Sequence, residues 1–151
     1  MNSTLLLVLA IVFLLVASAF AQFYRTRRSP LGKVMHIFSD IRSAEKLCRE
    51  FSYKSRAKKF RVASWYKNKD KVLFLPGDLR AELARLFGMM EDVNIKIDTA
   101  VKFKSNAYLV TIDVKNFEEP LAASRLKLRD WLQENLHNPE YLPRRKSLFR
   151  W

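Results

Sequence analysis

His36, Cys48, Glu118, Glu119 and His137 are the residues whose types invite chemistry: imidazoles that ligate metals or move protons, a thiol that can attack carbon or sulfur, and a carboxylate pair for acid–base work. Their spacing argues against each use. The two histidines stand in separate segments, and neither has a second ligand at metal spacing beside it. Glu118 and Glu119 are adjacent, so on a helix they point in different directions, and a place in a first turn, where carboxylates favour the helix dipole, accounts for them. Cys48 falls on an apolar helical stripe, which marks a small core residue rather than a nucleophile. No GxxxxGK[ST] or GxGxxG occurs, and the 3 glycines of the chain leave little for a phosphate-cradling loop. The expectation is a protein that is not an enzyme, with no catalytic, cofactor-binding or metal-ligating residues.

The other chemistry is charge. Lys and Arg number 28 against 15 Asp and Glu, a net charge of +13, which favours lipid headgroups, nucleic acid or acidic proteins as partners. A single cysteine excludes a disulfide framework within the chain. Lys54, Arg56, Lys58, Lys59 and Arg61 form the densest basic patch, followed closely by Trp65 and Tyr66 and by Lys67, Lys69 and Lys71. Basic residues mixed with aromatics can hold single-stranded nucleic acid by stacking and phosphate contacts, yet no aromatic RNP-type motif or zinc-ligand spacing accompanies them. A solvated basic face is the plainer reading, and nucleic acid remains the alternative partner.

These side chains need elements to position them. From Leu5 to Tyr24 only Ser18 and Gln22 interrupt an apolar run, and at ~1.5 Å per residue such a helix would span the roughly 30 Å of a bilayer core. Arg25, Arg27 and Arg28 crowd its far end, the reverse of the charge order of a secretory signal. The expectation is therefore an uncleaved signal-anchor, a single-pass transmembrane helix with the C-terminal domain in the cytoplasm and those arginines at a membrane surface carrying anionic lipids. Ala19-Phe20-Ala21 has the small-x-small look of a cleavage site, so a secreted protein cut after Ala21 is the competing topology.

Beyond the anchor the chain is long enough for one domain. Ser29-Pro30 suits a helix N-cap, and Val34, Ile37, Ile41, Ala44, Cys48 and Phe51 then recur at helical spacing. Aromatic and β-branched runs at Phe60 to Tyr66 and Val72 to Leu75, joined by Lys67 to Asp70, predict a β-hairpin. From a start at Asp78, Leu79, Leu83, Leu86, Met90, Val93 and Ile97 step by four and three, a helical seam of the coiled-coil kind that requires a partner. The partner is a helix opened by a capping-box-like Asn116 and Glu119, whose stripe includes Leu121, Leu128 and Leu132. Residues 105–115 leave strand and helix open, with a break expected near Ser105 and Asn106. The tail ends in Arg144, Arg145, Lys146, Phe149 and Trp151, a composition suited to a return to the membrane surface.

The expected architecture is thus a short N-terminus at 1–4, an anchor at 5–24, a basic juxtamembrane segment at 25–29, a mainly α domain at 30–138 and a basic aromatic tail at 139–151. The domain is an antiparallel helical hairpin or small bundle to which a short β-hairpin is added. The function expected of it is a membrane-anchored protein-interaction module, an adaptor or accessory subunit of a membrane complex whose partner is another protein or a second copy of the chain. The alternative is a tethered nucleic-acid binder using residues 54–71.

Overall fold

The computed structural model describes residues 3–51 and 57–142, with side chains described at all of these except 3–7 and 22–27. Helices α1 (Ser3–Arg28) and α2 (Pro30–Arg49) are followed by the short α3 (Ala63–Asn68), by α4 (Gly77–Lys102), by the one-turn α5 (Ala107–Val110) and by α6 (Glu118–Asn135). Two 3-10 turns, Lys69–Lys71 and Val114–Phe117, complete the order, and no strand occurs among the described residues.

The expected membrane span at 5–24 is corrected. Among the described residues no helix is long and apolar enough to cross a membrane. The signal-anchor, the single pass and the cytoplasmic placement that depended on it are not retained.

Local chemistry explains where the body begins. The Ser29 hydroxyl accepts the Gly32 N–H at 3.0 Å, and Pro30 supplies the first position of α2, where its missing N–H costs nothing. Leu31, Val34, Ile37, Ile41 and Ala44 then face the core. Helix α4 buries Leu79, Leu83, Leu86, Met90, Val93 and Ile97, together with Phe87 and Ala100. It begins at Gly77 with Asp78 inside its first turn and no side-chain cap, so Asp78 adds charge to the N-terminus without closing a hydrogen bond. Its far end closes by a Schellman pattern: the Ser105 N–H reaches the Ala100 carbonyl at 3.0 Å and the Lys104 N–H the Val101 carbonyl at 3.3 Å. Lys104 takes the left-handed conformation, φ 50°, that such a stop requires.

The hairpin expected between Phe60 and Leu75 is replaced by α3 and a 3-10 turn. Val72 and Leu75 are both buried and Leu73 is exposed, a three-residue spacing that a strand would split between opposite faces. The Leu75 N–H closes a turn on the Val72 carbonyl at 3.0 Å. The segment open at 105–115 resolves in the same way, since Leu109 and Ile112 are both buried and their turn is closed by an Ile112 N–H bond to the Leu109 carbonyl at 3.1 Å.

Helix α6 packs chiefly on α2 and to a lesser extent on α4, so the α4–α6 hairpin is not the dominant pair. Arg125 of α6 donates through Nε to Glu45 of α2 at 2.7 Å, and Leu31 N–H donates to the Tyr141 carbonyl at 3.3 Å. Late residues of α2 thus lie beside early residues of α6 and the reverse, so the two helices run antiparallel. Lys127 reaches Glu82 of α4 at 2.6 Å from the other flank. The capping box expected at Asn116 is absent: α6 starts at Glu118 with no side-chain cap, while Asp113 caps the preceding 3-10 turn by accepting the Lys115 N–H at 3.1 Å. Leu121, Leu128 and Trp131 are buried and Leu132 is half-buried. Trp131 meets Phe74 and Tyr141, with ring centroids 5.6 and 5.3 Å away, which folds the chain beyond α6 back onto the body.

Candidate functional site

Antiparallel packing of α2 and α6 leaves an open groove of about 1030 Å³ along their outer side. Its floor is apolar: Phe38 and Leu132 are half-buried, and Met35 is 49% exposed at the same end. The other end is basic. Arg42, Lys46 and Arg49 follow one another at i, i+4 and i+7, a spacing that puts all three on one face of α2. Arg125 enters from α6 but is engaged by Glu45, and Lys46 has Glu50 at 3.9 Å with both side chains well solvated. Arg42 and Arg49 are exposed and have no ion-pair partner among the described residues. The groove therefore offers a hydrophobic floor beside uncompensated positive charge.

Cys48 borders a smaller recess of about 280 Å³ with Glu118 and Arg125. Burial foremost, then the carboxylates of Glu118 and Glu45, push its thiol up to about 11, which keeps it protonated and a poor nucleophile at neutral pH. His36 is half-buried on α2 and His137 is exposed beyond α6, without a hydrogen bond or ion pair at either among the described residues. Glu118 and Glu119 lie exposed in the first turn of α6. No group of three or more His, Cys, Asp or Glu side chains that could hold a metal ion is found among the described residues.

Two residues of the basic patch meet carboxylates of other elements. Lys59 pairs with Asp98 of α4, and Arg61 faces Asp40, whose carboxylate is almost fully buried. Asp40 Oδ2 accepts the Ser64 N–H at 3.2 Å, while Oδ1 lies 3.4 Å from Arg61 Nε as a charge pair without hydrogen-bond geometry. Lys58 is exposed, and Lys54 and Arg56 lie outside the described residues. Of the residues assigned to a membrane surface, Arg28 is exposed at the end of α1; the side chains of Arg25 and Arg27, and Arg144, Arg145, Lys146, Phe149 and Trp151, lie outside what is described. The seam residues Leu79, Leu83, Leu86, Met90, Val93, Ile97, Leu121 and Leu128 belong to one core cluster, with Leu132 packed at its edge where it also floors the groove.

Sequence reasoning read the outer face of α2 only as the charged side of an amphipathic helix. The available signal was the Arg42, Lys46, Arg49 spacing, but the apolar floor depends on α6 lying alongside, and no local pattern announces that pairing. Compared with known proteins, the chain matches no family model, no curated protein and no solved structure.

Proposed function

We propose that the chain is a protein-interaction module, an adaptor or accessory subunit, whose contact surface is the groove between α2 and α6. The observation that carries this reading is the combination in one groove of an apolar floor at Phe38 and Leu132 with the guanidinium groups of Arg42 and Arg49, which have no ion-pair partner among the described residues. Apolar area supplies affinity on desolvation, whereas charge at the rim selects the partner and its register. Lys59 and Arg61 each have a carboxylate within ion-pair distance, so two cations of the segment invoked by the nucleic-acid alternative already have partners in the fold.

Affinity purification with the full chain tests the reading when wild type is compared with Met35→Asp, a change at an exposed position of the groove floor. A partner retained by wild type and lost with the variant supports it. Recovery of the same proteins by both would remove the groove from the function.

A further inference from the structure

The groove has an apolar end at Met35, Phe38 and Leu132 and a basic end at Arg42 and Arg49. Resting on the interaction reading above, we infer that it takes an acidic amphipathic helix of a partner protein, lying along α2 with apolar side chains at the Met35, Phe38 and Leu132 end and carboxylates at the Arg42 and Arg49 end. Three observations converge on that chemistry. First, Arg42, Lys46 and Arg49 repel one another along one helix face, and the counter-charge within the groove falls short: Glu45 is engaged by Arg125, which leaves Glu50 alone against the other three cations. Carboxylates brought by a partner relieve that repulsion, and Arg receives them through paired N–H donors.

Second, the polarity is graded along the groove rather than mixed. A small anion would use only the basic end, and a purely apolar peptide would leave the arginines unmatched at a desolvated interface. An occupant with separated apolar and acidic portions satisfies both ends.

Third, the dimensions and the backbone select a helix. From Met35 to Arg49, α2 rises about 21 Å, the length of roughly four helical turns. No strand occurs among the described residues, so the groove has no sheet edge to which an extended peptide could add. A segment docking between two helices must satisfy its own backbone, as a helix presenting i, i+3, i+4 and i+7 anchors does.

The test uses the full chain and two fluorescein-labelled helical peptides of about four turns. Both carry leucines on one stripe towards one end; one bears glutamates and the other lysines towards the opposite end. Fluorescence anisotropy should show binding of the glutamate peptide, weakened by added salt and at least about tenfold weaker for the Arg42→Glu, Arg49→Glu double variant. The lysine peptide should not bind wild type. Both substituted positions are exposed, so an unchanged circular dichroism spectrum and melting temperature should establish that the variant is folded. Equal binding of the two peptides, or binding indifferent to the double substitution, would overturn the inference. So would a single-stranded oligonucleotide that displaces the glutamate peptide at lower concentration, since the groove would then prefer phosphates. If a native partner is lost with Met35→Asp but retained by the Arg42→Glu, Arg49→Glu variant, the interaction reading stands and the acidic-helix inference fails.

Discussion

Asn94 grips both backbone polar groups of Phe60: its Oδ1 accepts the Phe60 N–H at 2.8 Å, and its Nδ2 donates to the Phe60 carbonyl at 3.0 Å. A neighbouring strand would make the same two bonds. Here a side chain on α4 makes them, so the backbone of buried Phe60 is satisfied although no strand occurs among the described residues, and the Phe60 ring stacks on Phe117 at 5.5 Å. Replacement of Asn94 by Leu strands a buried donor and a buried acceptor, each costing about 1–3 kcal/mol. A loss of roughly 2–6 kcal/mol in urea unfolding is therefore expected, and a loss below about 0.5 kcal/mol would show that the clasp is not required.

The interior of α4 sets a second expectation. Leu86 is 1% exposed whereas Ile95, on the same helix, is 55% exposed. Leu86→Ala should cost on the order of 2–5 kcal/mol, and Ile95→Ala should stay within about 0.5 kcal/mol of wild type. Similar melting temperatures for the two variants would contradict this burial pattern.

Lys104 provides a change in the stabilising direction. Its left-handed backbone, φ 50°, is one that a side chain disfavours and glycine accepts, at the position where Schellman stops most often carry glycine. Lys104→Gly should raise stability by on the order of 0.5 kcal/mol, because relief of strain exceeds the added freedom of the unfolded chain. A fall in the unfolding midpoint would refute the strain at this site.

Cys48 links burial to pH. Its thiol is raised from 9.0 to about 11, so the folded state favours the neutral form; the associated stability is fully present below pH 9 and is lost as pH rises through 11. Alkylation by iodoacetamide at pH 8 should run about two orders of magnitude slower in the native protein than in urea. Comparable native and denatured rates would mean that the thiol is not buried as described.

Much of the fold was legible where local chemistry decides. Ser29 and Pro30 mark the start of α2, the four-three spacing from Leu79 gives the buried stripe of α4, and a break near Ser105 and Asn106 follows from the usual length of a helix. Strand-like composition misled at Phe60 to Tyr66, because the Asn94 clasp and the stacking of Trp65 on Phe87 at 5.5 Å come from a distant helix. A six-residue helix such as α3 is too short to form without tertiary support, so propensity could not announce it. The candidate groove was hidden for a related reason: periodicity identifies an apolar face but does not name its partner, and the stripes of α2 and α4 are equivalent claimants for α6.

The hydrogen bond from Leu31 to the Tyr141 carbonyl also brings the start of α2 and the chain beyond α6 side by side. Because α2 and α6 are antiparallel and their outer ends meet there, tension applied through the two ends of the body enters at one edge of the pair. Such a load opens successive contacts one after another instead of stretching all of them together. The geometry is that of a zip drawn from its open end rather than of two plates pulled apart.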